Sequence, residues 1–155
     1  MNKIITLNQL EQIKRDGKKL VLCGGCFDIF HVGHLRFLES AKKIGGILLV
    51  ALESDEKVKI LKGKNRPIHS QKERAEILAN LTIVDYVVLL PYFKTDADYF
   101  SLIKKIKPDV IAVTQGDPVR NKKEQQIKTV GGKIVVVPNI KTPSTTQLTK
   151  LLGID

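Results

Sequence analysis

Tryptophan is absent from these 155 residues, and aromatic side chains make up only 5% of them. That is thin material for the base-stacking platform of a single-strand nucleic-acid binder, so nucleic acid is not the expected partner. No apolar run approaches the ~18 residues of a membrane span, and no membrane association is expected. The opening stretch MNKIITLNQLEQIKRDG has neither a continuous apolar core nor a small-residue cleavage site. A cytoplasmic chain is the expectation, with its two cysteines, Cys23 and Cys26, as reduced thiols. Acidic side chains are also scarce, 16 against 26 Lys and Arg, for a formal charge of +10. This balance favours polyanionic partners such as nucleotide phosphates, nucleic acid or an acidic membrane face, without choosing among them.

Hydrophobic content of 43% and charged content of 27% are ordinary for a soluble globular chain. The length fits one domain, 1–155. Within it, residues 1–17 read as a leading helix (Thr6–Asp16), with Thr6 and Gln9 at capping-box spacing and Gly17 as the stop. From residue 18 onward strands and helices alternate. KLVLC, ILLVAL, YVVLL, DVIAV and KIVVV are short apolar strands. Between them lie helical patterns after Gly33, from Ser70 to Leu81, near 98–106 and near 121–129, and a short helix capped by Ser144 or Thr145 closes the chain. The segment KGKNRPIH, too polar and broken for a core, reads as a mobile active-site loop. Continuous β-branched strands separated by helices imply an α/β fold: a Rossmann-like, doubly wound parallel sheet of about five strands with helices on both faces.

Residues 23–34, CGGCFDIFHVGH, carry the densest chemistry and admit three readings. Zinc binding would need Cys23, Cys26, His31 and His34 around one ion, but finger-type sites separate their Cys and His pairs by about 12 residues. A redox CxxC belongs at a helix N-terminus, whereas Cys23 ends a strand and reads as a small buried hydrophobe. The phosphate reading fits the placement. The stretch lies at the carboxyl end of the first core strand, where parallel sheets bind ligands. Its glycines let the backbone approach an anion, and the helix entrance near Gly33 offers free N–H groups. His31 and His34, three apart, can donate from one side to phosphate oxygens.

The pattern Gly25, Phe27, Asp28, His31, Gly33, His34 resembles the cytidylyltransferase-like nucleotidyltransferase family. The resemblance continues through ESDE (53–56), LKGKNRP (61–67), Arg74 in KERAEIL, Gly116–Asp117 and PSTTQL (143–148). GCFD, LKGxxRP and STT look most like the nucleotidyltransferase domain of ADP-heptose synthases, and the chain is similar to glycerol-3-phosphate cytidylyltransferase and archaeal FAD synthetases. Asn139 stands where the glycerol-phosphate type has an arginine, and TQGD (114–117) where the heptose type has KGGD.

The resemblance implies attack by an acceptor phosphate, a sugar 1-phosphate foremost, on the α-phosphorus of a nucleoside triphosphate (ATP or CTP), releasing pyrophosphate. It assigns His31, His34 and Lys62 to catalysis and Gly25, Phe27, Gly33, Arg74, Asp117, Ser144, Thr145 and Thr146 to the nucleotide, with Lys64 and Arg66 as further basic candidates. Asp28 and Asp55 are the acceptor-side candidates. Magnesium (Mg2+) bridges the phosphates and keeps its waters, so no protein metal cage is expected. A homodimer is implied as well. Two other classes remain: a nucleotide-binding module without catalysis, and a nucleic-acid binder whose affinity falls steeply with salt.

Overall fold

The computed structural model describes residues 2–139 and 141–154. Ile140 of the NIKTPSTT stretch and the two end residues of the expected 1–155 domain lie outside the described residues. The elements run β1 (Ile4–Thr6), β2 (Leu20–Gly25), α1 (Val32–Ile44), β3 (Ile47–Leu52), α2 (Asp55–Lys62), α3 (Gln71–Ala79), β4 (Tyr86–Leu89), α4 (Asp96–Ile106), β5 (Val110–Thr114), α5 (Arg120–Lys128), β6 (Lys133–Val137) and α6 (Thr145–Leu151).

All strand pairings are parallel, in the order β1-β4-β3-β2-β5-β6. The chain lays β3 and β4 to one side of β2, then returns to place β5 and β6 on the other. This reversal leaves a crevice beyond the carboxyl ends of β2 and β5, where an open α/β sheet binds ligands. Side chains alternate across the sheet. Leu20 and Leu22 pack with Leu102, Ile103 and Ile127 of α4 and α5, while Val21 and Cys23 pack with Leu38, Ala41, Ala75 and Leu78 of α1 and α3. Both faces are therefore apolar, which is why the strands read as unbroken hydrophobic runs.

The expected leading helix is replaced by β1 and a 3-10 turn at Leu7–Gln12. Its capping signal is real, since the Thr6 N–H donates to Gln9 Oε1 at 2.9 Å, but it opens a short turn. The β-branched triplet before it pairs with β4 and adds a sixth strand.

The basic stretch differs in two ways from the expected mobile active-site loop. Lys62 is the last residue of α2, before Gly63 at φ 118°, and Arg66 is only 3% exposed. Arg66 is carried into the interior by an ion pair with Asp28, a partner that no hydropathy pattern reveals.

Candidate active site

Between β2 and α1 the backbone makes a turn that few side chains tolerate. Phe27 and Ile29 have φ of 47° and 49°, left-handed values that are costly for side chains of this size. The residue between them, Asp28, explains how the turn is held. Its carboxylate accepts from Arg66 Nε at 2.6 Å, from the Ile68 N–H at 3.0 Å and from the His69 N–H at 3.2 Å. Its carbonyl accepts from Thr145 Oγ1 at 2.8 Å. One residue thus ties the β2–α1 turn to the 66–69 segment and to the start of α6. Burial alone would raise the Asp28 pKa, but the Arg66 hydrogen bond, the two backbone donors and the Arg66 charge together hold it below the usual carboxylate range.

His31 caps α1 and His34 stands in its first turn. Their rings stack with centroids 3.8 Å apart. His31 Nδ1 accepts from the Gly33 N–H at 3.1 Å, and His34 Nδ1 accepts from the His31 N–H at 3.4 Å. With both Nδ1 atoms accepting, each neutral ring carries its proton on Nε2 and presents a donor there. Burial lowers the His31 pKa. For His34, burial first and then the positive potential of His31 and Lys62 outweigh Asp28 and bring it to about 4. The pair is neutral at physiological pH.

Gly33 is required by space. A Cβ there would lie 2.6 Å from Thr142 Cγ2 and 2.9 Å from His31 Cε1, so a side chain would force Thr142 or the His31 ring to shift. Gly25 is similar, with a built Cβ 2.9 Å from the Phe27 ring.

These groups open onto a cavity of about 690 Å³ at the switch point. Gly25, Phe27, Asp28, His31, Gly33, His34, Lys62, Asp117, Ser144, Thr145 and Thr146 line it. Asp117 follows β5, accepting from the Val119 N–H at 2.9 Å and pairing with Lys123 Nζ at 2.6 Å. The Ser144 hydroxyl caps α6 by accepting from the Gln147 N–H at 3.2 Å. Thr146 is exposed at the start of the same helix. Arg66 is in the wall too, and among the described residues nothing accepts from its buried Nη1. An unpaired guanidinium donor in a cavity wall suits an anion.

Residues 22–150 match the cytidylyltransferase-like family over nearly all of the core just described. The chain belongs to that family. Among curated relatives of this cytidylyltransferase-like chain, "Bifunctional protein HldE" of Campylobacter fetus is 50% identical over 109 residues, 70% of this chain and 23% of that protein. The HldE protein of Desulfatibacillum aliphaticivorans is 37% identical over 142 residues, 90% of this chain and 28% of that one. The chain therefore spans only about a quarter of the length of these relatives. Of the solved structures, the lipopolysaccharide core biosynthesis protein from Thermoplasma volcanium superposes with a TM-score of 0.64 at 25% identity, covering 81% of this chain and 99% of that one. A pantoate-beta-alanine ligase from Francisella tularensis superposes with the same TM-score of 0.64 at 16% identity, covering 92% of this chain and 69% of its own, which shows the shared fold.

Three residues of the expected cytidylyltransferase-like set are not in the cavity wall: Lys64, exposed in the turn after α2, Arg74 and Asp55. Arg74 is 1% exposed, and its donors go to the carbonyls of His69, Cys26 and Glu53 and to Asp55 Oδ1, the last at 2.7 Å. It is a clip joining α3 to the ends of β2 and β3, with four of its five N–H donors committed to that role. Asp55 is the other half of that pair and lies in the first turn of α2. Conversely, Lys123, Lys141 and Thr142 line the cavity without having been singled out in the sequence. Lys141 and Thr142 directly precede the PSTT run, which was their one available signal. Cys23 is fully buried with its thiol pushed up to about 12 by desolvation, the inert core role expected of it.

Proposed function

We propose that this chain is a nucleotidyltransferase that moves a nucleotidyl group from ATP or CTP onto a sugar 1-phosphate and releases pyrophosphate. The observation that carries the reading is the stacked His31–His34 pair, neutral and with neither Nε2 donating to a group among the described residues, at the N-terminus of α1 beside a cavity with basic walls. An acceptor phosphate oxygen forms the new bond to the α-phosphorus as the bond to the β-phosphate oxygen breaks. No proton needs to be removed from a phosphate nucleophile near neutral pH, so no base is called for. The chain's task is to position two anions and stabilise charge on the transferring phosphorus.

In this reading His31 and His34 donate to the α-phosphate region through neutral rings, which keep their protons through the reaction. The α1 N-terminus adds its backbone dipole. Lys62, Arg66 and the start of α6 serve the outer phosphates, and Asp117 faces the nucleoside. The resemblance to ADP-heptose synthases, the HldE relatives and the Thermoplasma lipopolysaccharide protein all support a sugar phosphate as acceptor. The family resemblance also supports a homodimer.

The cavity's donor set fits magnesium carried in by the triphosphate. Its two carboxylates are engaged, Asp28 by Arg66 and Asp117 by Lys123, so the ion would keep phosphate and water ligands, with Asp117 and the Ser144–Thr146 hydroxyls as partners for those waters. When bound, it neutralises charge on the phosphates.

The test is pyrophosphate release with magnesium and ATP or CTP across sugar 1-phosphates, glycerol 3-phosphate and FMN, with His31→Ala alongside. Release that needs a sugar 1-phosphate and is lost in the variant supports the proposal. Release with FMN or glycerol 3-phosphate alone reassigns the acceptor, and no release with any pair refutes the transfer.

A further inference from the structure

A second cavity, of about 370 Å³, opens on the other side of the β2 terminus and shares Gly24, Gly25, Cys26 and Lys123 with the first. Its floor is apolar, formed by side chains such as Leu22, Leu102 and Ile111; Lys57 adds positive charge to its wall, and Lys122 and Asp96 there pair with each other at 2.8 Å. Set among these is a carboxylate, Glu53, which follows β3.

Glu53 is held but incompletely satisfied. The Tyr99 hydroxyl donates to its Oε1 at 2.9 Å, whereas Oε2 is shut off from solvent and accepts from no group among the described residues. Tyr99 is itself fixed, edge-on to Phe93 with ring centroids 5.1 Å apart and with Lys57 Nζ 5.4 Å from its ring centre. Buried polar atoms in folded proteins nearly always have partners, so an orphan carboxylate oxygen in a cavity wall calls for an external donor. The two cavities are complementary in this respect. The first has a spare cationic donor, Arg66 Nη1, and the second a spare anionic acceptor, Glu53 Oε2.

Resting on the nucleotidyl-transfer reading of the neighbouring cavity, we propose that the second cavity holds the acceptor and that Glu53 selects it, accepting a hydrogen bond from a hydroxyl of a polyhydroxylated sugar phosphate. The sugar's apolar face lies on the leucine and isoleucine floor. Its phosphate is directed to the shared rim, where Lys123 stands between the two cavities. Tyr99 is a positioning residue that fixes the Glu53 carboxylate. Acceptor recognition thus moves from Asp28 and Asp55, both tied up in structural ion pairs, to Glu53.

Glu53→Gln separates this role from a structural one. It preserves shape and the oxygen that Tyr99 bonds, but places an amide donor where the free carboxylate oxygen was. Equilibrium titration calorimetry with hexose and heptose 1-phosphates, without nucleotide, reads the acceptor alone, and a parallel titration with magnesium ATP or CTP checks the first cavity. The expected result is sugar-phosphate affinity weakened about tenfold or more in Glu53→Gln, the usual range for a hydrogen bond to a charged group. Triphosphate affinity should stay within about twofold of wild type. Tyr99→Phe should weaken the sugar phosphate by a smaller factor and leave the triphosphate unchanged. Unchanged sugar-phosphate affinity in Glu53→Gln overturns the proposal, as does an equal loss for both ligands or no binding of any sugar phosphate to the wild type. Pyrophosphate release with a different acceptor in that last case would leave nucleotidyl transfer standing while removing Glu53 from it.

Discussion

Arg66 and Asp28 meet at 2.6 Å with both side chains 1% exposed, an ion pair sealed inside the protein 38 residues apart in sequence. It fixes the turn that aims His31 and His34, and it converts a basic, apparently solvated stretch into part of the cavity wall.

Removing one charge of that pair leaves the other buried and alone. Asp28→Asn is therefore expected to destabilise the fold by about 3–5 kcal/mol, measured by urea unfolding near pH 7. The Asp28 pKa is depressed in the folded protein, so its contribution is full above the ordinary carboxylate value of about 3.9 and disappears as pH falls through the lower folded value. The gap between wild type and variant should narrow in acid. A gap that stays constant to low pH contradicts the pairing.

His34 makes a prediction of the same sign in a higher pH range. Its pKa falls from 6.5 to about 4 on folding, so between those values the unfolded chain binds more protons than the folded one. Stability is then lost as pH drops from 6.5 toward 4. In an NMR titration the His34 ring resonances should hold steady through neutrality and move only near pH 4. A midpoint close to 6.5 would show that the ring is not desolvated as described.

Gly33→Ala tests the packing of the pair without replacing either imidazole. The added methyl collides with Thr142 and His31, so turnover should fall by about a hundredfold, the scale of losing one transition-state donor. Wild-type turnover would mean that His31 can shift at no cost.

Two basic residues that look alike in sequence should behave differently. Lys62→Ala, at the cavity wall, is expected to raise the triphosphate KM with little change in melting temperature. Arg74→Ala removes the partner of three carbonyls and of Asp55, and should cost several kcal/mol, about 3 or more, of folding stability. A thermally normal Arg74→Ala protein with only a nucleotide defect would restore the phosphate role to that residue.

The contrast marks where sequence reading stops. Parallel strands buried on both faces, the βα turn carrying the histidines and the capped α3 and α6 were legible because each has a local signature: an unbroken apolar run, a glycine-flanked HxGH, a Ser with its capping partner three residues on. Arg66 and Arg74 were not. Whether an arginine is solvated or buried depends on partners 38 and 19 residues away, and pattern carries no trace of them. β1 carries no legible signal: three residues are too few for a period, and the capping box at Thr6 is that of a helix start. Glu53 has no signal in the sequence, since a carboxylate after a strand looks like any other; its oxygen without a partner among the described residues sets it apart.

Phosphorus NMR of the reaction mixture measures nucleotidyl transfer most directly. With magnesium, ATP or CTP and a sugar 1-phosphate, the wild-type chain should produce pyrophosphate together with the paired resonances of a nucleotide–sugar diphosphate ester, and the His31→Ala, His34→Ala double variant should produce neither. Accumulation of nucleoside diphosphate and orthophosphate, or a diphosphate ester formed equally well by the double variant, would contradict attack at the α-phosphorus assisted by this histidine pair.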